Sequence, residues 1–247
     1  MNSSVITSEQ KRGLEDLNKV FKQLTGEDRI RRLYDHFDPE DVLVTSSFGT
    51  KSVYLLHLLH QINPDQKIHF INTTYHFPET IRYRDHLARL FNLKVVNLTP
   101  EVHQNELTRE EKWWSNHPRM CCAINKIAPL DEIKGNFKVW MSGVMGYQTE
   151  FRSVLQIFED RGDIIKFHPL IDLDGEEFEQ LISELDLPPH PLEEKGYGSV
   201  GCMHCTIKGP GRNGRWMATG ETECGLHTTY FLKKMEKKNG IDKLKAS

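Results

Sequence analysis

A mostly parallel, doubly wound α/β domain is the fold this sequence predicts, and two patterns predict it. Short apolar runs alternate with amphipathic stretches long enough for helices, and a Ser-Ser-Phe-Gly turn stands directly after the first such run. Alternation of this kind closes into a parallel sheet with helices on both faces. Ligands of such sheets bind beyond the carboxyl ends of the strands.

Each element follows in order. Residues 8–35 are charged, with interspersed Leu, Val, Phe and Ile, and predict a helical segment. Asp41-Val42-Leu43-Val44-Thr45 reads as a buried strand, Ser46-Ser47-Phe48-Gly49 as a turn, and Val53 to Leu59 as a helix. Lys67 to Ile71 is a second strand, and Pro78 suits the first turn of a helix reaching about Phe91. Val95-Val96-Asn97-Leu98 is a third strand, helices follow near 104–116 and 121–133, and Lys138-Val139-Trp140-Met141 is a fourth strand. Val154 to Phe158 and Ile164 to Phe167, split by Asp160-Arg161-Gly162-Asp163, predict a hairpin, and a helix covers about 175–185. From about Pro188 onward Gly, Pro and charge dominate. The expected division is therefore a helical segment (1–35), an α/β domain (36–187) and a loop-rich tail (188–247).

Composition narrows the function classes. A chain of 247 residues, 38% hydrophobic and 27% charged with net charge −3, has no global basic field calling for nucleic acid. No apolar run reaches the roughly 18 residues of a membrane span. The start, Met1-Asn2-Ser3-Ser4, lacks the basic and apolar regions of a secretory signal. The expectation is a cytoplasmic, reducing location, with no membrane partner. Clustered cysteines there read as metal-binding or catalytic rather than as disulfides.

The five cysteines fall as Cys121-Cys122, Cys202-Met203-His204-Cys205 and a lone Cys224. Neighbouring cysteines do not easily bond to each other, yet two at a helix start can both reach one bulky cluster. A tetrahedral zinc would suit a second Cys-x-x-Cys better, whereas four thiolates suit a [4Fe–4S] cluster. Zinc and no metal at all are the alternatives. Two small buried hydrophobes would explain Cys121 and Cys122 but not Cys202 and Cys205, which sit among Gly, His and Lys. Cys224 lies in Glu223-Cys224-Gly225-Leu226-His227, a polar context in which a nearby His and basic residues favour a nucleophilic thiolate. A surface thiol without a role is the plainer reading. With four thiols on a metal, a disulfide step at Cys224 needs an external dithiol.

Two further motifs point to an anion. Ser46-Ser47-Phe48-Gly49-Thr50-Lys51-Ser52 links a strand to a helix and offers backbone N–H groups and hydroxyls to phosphate or sulfate, although it is not a Walker A loop. An ordinary capped turn is its plain reading. Arg212-Asn213-Gly214-Arg215-Trp216 places two arginines three apart, fit to grip a doubly charged anion or simply to be a solvated basic loop.

Taken together, Ser-Ser-Phe-Gly, Phe77-Pro78-Glu79-Thr80, Cys121-Cys122, Cys202-x-x-Cys205, Arg212-x-Gly-Arg215-Trp216 and Glu223-Cys224-Gly225-Leu226-His227 resemble the assimilatory sulfonucleotide reductases, in their iron–sulfur branch. The resemblance spans about residues 40–227. It implies an adenine-nucleotide α-hydrolase-like fold. It implies reduction of adenylyl sulfate (APS) to sulfite and AMP, with thioredoxin or a glutaredoxin-like dithiol as donor. Carried onto this sequence, it implies a [4Fe–4S] cluster on Cys121, Cys122, Cys202 and Cys205, and Cys224 as nucleophile. Substrate contacts are implied at Ser46, Ser47, Phe48, Gly49, Lys126, Arg152, Arg212, Arg215 and His227.

The sequence departs from the family pattern at four basic positions, occupied here by Asn125, Met145, Gly146 and Ile207. Lys51-Ser52 stands where APS-type members commonly carry an acidic pair. Acidic groups there disfavour a ribose 3′-phosphate and Lys51 does not, so phosphoadenylyl sulfate (PAPS) is the alternative substrate. Two other classes remain as expectations to separate: an ATP-dependent adenylating or thiolating enzyme, and a non-catalytic iron–sulfur nucleotide sensor.

Overall fold

A computed structural model describes residues 8–216 and Glu223, with side chains from residue 12 onward. The chain forms α1 (Ser8–Phe21), α2 (Gly26–Tyr34), β1 (Val42–Ser46), α3 (Val53–Ile62), β2 (Lys67–Ile71), α4 (Pro78–Leu90) and β3 (Lys94–Leu98). It continues through α5 (Val102–Glu110), α6 (Trp113–Asn116), α7 (Pro118–Cys122), a π-helical turn (Ala123–Ile127), α8 (Ala128–Lys134) and β4 (Val139–Ser142). Then come α9 (Glu150–Ser153), β5 (Phe158–Asp160), β6 (Ile165–Phe167) and α10 (Gly175–Glu184). The sheet order is β3-β2-β1-β4-β6-β5, parallel throughout except for β5 against β6. The doubly wound expectation is therefore met, and the strand order reverses between β1 and β4.

Residue alternation in β1 explains why both faces are covered. Val42 and Val44 join the large core built with Leu55, Leu56, Leu59, Phe70, Tyr83 and Leu87. Leu43 points the other way, into a second core with Leu98, Leu130, Trp140 and Ile164. A strand buried on both sides needs an unbroken apolar run rather than a half-polar one, as Val42-Leu43-Val44 supplies. Each such side chain contributes about 1.5–3 kcal/mol on burial.

The N-terminal helices pack on the larger core through Phe21, Ile30 and Leu33. Thr25 caps α2 by accepting from Asp28 N. Arg29, 2% exposed, donates Nε to Phe21 O (2.8 Å) and Nη1 to Pro169 O (2.9 Å). Its two Nη atoms also fork onto Asp172 at 2.5 and 2.7 Å. One guanidinium thus joins α1, α2 and the loop after β6.

Three local expectations are corrected. The hairpin's first strand begins at Phe158, not Val154, which is 75% exposed and follows directly on α9. The helix near 104–116 breaks at Lys112, whose φ of 52° lies in the left-handed region. Cys121 and Cys122 close α7 instead of opening a helix, because Pro118 starts that helix three residues earlier. No helix among the described residues is long and apolar enough to cross a membrane.

Candidate active site

A cleft of about 330 Å³ opens at the carboxyl ends of β1 and β4, where the strand order reverses. Its floor is the turn after β1. Phe48 adopts φ 46°, and its backbone N–H donates to Ser46 Oγ at 3.1 Å. This turn sends the Phe48 ring into the core, edge-on to Phe70, and leaves Ser46, Ser47 and Gly49 lining the cleft. A Cβ on Gly49 would stand 3.2 Å from Val200 O, so the tail packs directly on the turn. Thr50 Oγ1 donates to Gly198 O at 3.1 Å, fixing the same approach.

Lys51 lines the cleft, and its ammonium meets Glu179 on α10 (2.6 Å) and Glu193 beyond it (3.2 Å). Burial works against the Lys51 charge, yet the two carboxylates hold its pKa above the ordinary value. Burial raises the Glu193 pKa against the pull of Lys51. Two acidic groups therefore stand at this end of the loop, although they are absent from its own sequence.

The far wall combines Ser142, the last residue of β4, and the following Gly143 with Tyr147, Gln148 and Arg152. Gly146 N donates to Ile171 O at 2.7 Å, and a Cβ there would collide with that oxygen. Met145 is fully buried in the core. A pair of arginines has no room at these positions, so the departure from the family pattern reflects how this loop packs.

Basic groups converge on the cleft from separate elements. Lys126 comes from the π-helical turn, Arg152 from α9, and Arg212 and Arg215 from the tail. π turns are rare and cluster at functional sites. Arg215 Nη1 donates to Ser199 Oγ and Val200 O, both at 3.1 Å, and its guanidinium lies 4.2 Å from the Trp216 ring centroid. Glu223, whose side chain is 1% exposed, meets Arg152 (2.7 and 2.9 Å), Arg212 (3.2 Å) and Thr149 Oγ1 (2.9 Å). Cys224 and His227 lie outside the described residues.

Beside the cleft, Cys121, Cys122, Cys202 and Cys205 all line one small pocket, with Tyr75, Trp114, Asn125 and His204. Cys202 and Lys126 line the cleft as well. Thr73 Oγ1 lies 3.3 Å from Cys202 Sγ, and Asn125 Nδ2 donates to Cys121 Sγ at 3.5 Å. Trp114 stacks on His204 at 4.0 Å. Burial, together with Cys202, pushes the Cys121 thiol up to about 11. Crowded, desolvated thiols of this kind become thiolates only beside a strong positive charge. Among the described residues no group of three or more His, Cys, Asp or Glu is drawn together as for a single metal ion. The donor set is nonetheless all sulfur, apolar-walled and supplied with hydroxyl and amide contacts to sulfur, which fits an iron–sulfur cluster.

The phosphoadenosine phosphosulfate reductase domain family matches residues 41–208. The chain belongs to this family. It is 36% identical over 203 residues to the adenosine 5'-phosphosulfate reductase of Bacillus cereus strain 03BB102, spanning 78% of this chain and 86% of that protein. The Bacillus mycoides strain KBAB4 protein of the same name is 36% identical over 197 residues, spanning 76% of this chain and 84% of that one. The phosphoadenylyl-sulfate reductase of Candida auris superposes with a TM-score of 0.70 at 22% identity, covering 83% of this chain and all of that one. The FMN adenylyltransferase of Candida glabrata shares the fold at TM-score 0.54 and 14% identity, covering 79% of this chain and 67% of that one.

Within this reductase-family site, the structure gathers Ser46, Ser47, Gly49, Lys126, Arg152, Arg212 and Arg215 on one cleft. Phe48 belongs to the core instead, because the left-handed turn points its ring inward; only its backbone stays with the loop. Asn125, where the family resemblance implies a basic residue, is 1% exposed and bonded to Asn105, Thr108 and Cys121 O. Ile207 is a surface residue. Sequence reading missed Ser142, Gly143, Ser199 and Gly201 on the cleft wall. A Ser-Gly step closing the fourth strand was the available signal for the first two.

Proposed function

We propose that this chain reduces adenylyl sulfate to sulfite and AMP in sulfate assimilation. The observation that carries this reading is the convergence of Lys126, Arg212 and Arg215 on the β1/β4 cleft, with the four-cysteine pocket as its neighbour. The Cys224 thiolate attacks the sulfur of the sulfate group. The S–O bond to the nucleotide breaks, AMP leaves with that electron pair, and S-sulfocysteine remains. Attack on an anionic centre is opposed by charge, and preorganised cations at the cleft offset that repulsion. A dithiol donor of the thioredoxin or glutaredoxin class then attacks Cys224 Sγ and expels sulfite. Its second thiol resolves the mixed disulfide, so the donor supplies both electrons.

Cys121, Cys122, Cys202 and Cys205 would hold a [4Fe–4S] cluster, which supplies a fixed local field and ties the α7 end to the tail. The steps at Cys224 do not pass through it. APS is favoured over PAPS because Glu179 and Glu193 surround Lys51, so a 3′-phosphate near this loop would meet two carboxylates against one ammonium. The test measures sulfite release from APS and from PAPS with reduced thioredoxin. APS is the better substrate, Cys224→Ser abolishes release, and purified protein is brown with about four irons per chain. No sulfite from either nucleotide sinks the enzymatic reading; zinc without colour sinks the cluster.

A further inference from the structure

Glu223 is the immediate neighbour of the proposed nucleophile and one of the most buried carboxylates among the described residues. Arg152 Nε and Nη2 grip its two oxygens at 2.7 and 2.9 Å in a parallel fork. Arg212 Nη2 adds a third bond at 3.2 Å, and Thr149 Oγ1 a fourth at 2.9 Å. Arg152 Nη1 donates to Gln148 Oε1, so every nitrogen of that guanidinium has a protein acceptor. Thr149 also caps α9 by accepting from Arg152 N at 3.2 Å. The wall that holds Glu223 is thus internally braced.

We infer that Glu223 is a positioning residue that tethers the nucleophile-bearing tail to the cleft, and that Arg152 serves this tether rather than the substrate anion. The inference rests on the proposal that Cys224 is the nucleophile. One trans peptide places successive Cα atoms about 3.8 Å apart. A carboxylate clamped by four bonds holds the residue that immediately precedes Cys224 in the sequence. Among the cleft cations, Arg152 has each of its guanidinium nitrogens on a protein acceptor, two of them on Glu223.

A rival arrangement has Glu223 standing in for the sulfate and leaving when substrate arrives. Glu223→Gln keeps the shape and removes the charge, and separates the two. Under the tether, Cys224 alkylation by a bulky maleimide, without nucleotide, speeds up at least about fivefold as the tail is released. Single-turnover sulfonation of Cys224 by APS slows at least about tenfold, the scale of a lost near-attack alignment. APS affinity, measured by equilibrium binding in a Cys224→Ser background, stays within about threefold. Arg152→Lys, which keeps the charge and loses the fork, speeds alkylation likewise, and unchanged melting temperatures exclude misfolding. Unchanged alkylation overturns the tether whether or not the enzyme turns over. Tightening of APS binding by about tenfold or more overturns it in favour of the stand-in. Absence of sulfonation in the unaltered protein would instead fail the proposed reaction, leaving the alkylation result to decide the tether.

Discussion

Replacing Arg29 by methionine tests how the fold supports the cleft from behind. The side chain is 2% exposed and donates to two buried carbonyls, Phe21 O and Pro169 O, besides its fork on Asp172. Methionine fills much of the volume but leaves Pro169 O without its donor, at about 1–3 kcal/mol, while Phe21 O keeps the Leu24 N–H and loses only its second bond, at about 0.5–1.5 kcal/mol. Asp172 is half exposed and rehydrates, and the buried guanidinium no longer has to be desolvated, which offsets part of the loss. The net is a loss of about 2 kcal/mol, or roughly 4–8 °C in melting temperature for a chain of this size. Urea titration reads it directly, as a lower midpoint at constant slope. The effect should reach the cleft too. Pro169 and Asp172 flank Ile171, whose carbonyl accepts from Gly146 N and so seats the loop carrying Tyr147 to Arg152. A loss below about 1 kcal/mol, the range of an ordinary surface substitution, would refute the assignment of Arg29 as a structural joint.

Three further outcomes follow from the geometry. His190 accepts at Nδ1 from Leu192 N, donates from Nε2 to Thr80 Oγ1, and is lowered by burial to about 4. A histidine whose folded pKa lies below its unfolded value contributes stability that is full above about 6.5 and lost as pH falls towards 4. Urea stability should drop by up to about 3 kcal/mol across that window, and His190→Gln should flatten the profile; a parallel profile in the variant would rule the residue out. Converting Glu179 and Glu193 together to glutamine leaves Lys51 without its carboxylates. The ratio of kcat/KM for PAPS over APS should then rise at least about tenfold, and an unaltered ratio would remove the acidic pair from substrate choice. Gly214→Ala places a Cβ 2.1 Å from Ile207 O and breaks the seat of the Ile207 N to Gly214 O bond. Nucleotide affinity should fall at least about tenfold while the melting temperature moves little, because the tail is peripheral to the core; full affinity would show that this bond does not shape the cleft.

The strands were legible because each is a short apolar run whose residues must serve two cores, as Val42, Leu43 and Val44 do. The glycine-bearing turn and the cysteine spacing were legible because both are local in sequence. What escaped is set by long-range pairing or by single dihedrals. Nothing in Ser-Ser-Phe-Gly says that Phe48 takes a left-handed turn and buries its ring. Nothing near Lys51 announces Glu179 and Glu193, which are 128 and 142 residues away. The arginines missing at Met145 and Gly146 read as a deficit, whereas a core methionine and a collision with Ile171 O explain their absence sterically. Glu223 was quoted as part of a motif, and its partner Arg152 only emerges once α9 folds under the tail.

Cys202 and Lys126 each face two compartments, the cleft and the four-thiol pocket. A wall with two sides makes the compartments thermodynamic correspondents. Whatever free energy a nucleotide spends on reshaping that wall changes thiol-side affinity by the same factor, and the reverse holds by necessity. The reactivity of the thiols in one chamber is then a gauge of occupancy in the other, read without touching the nucleotide at all.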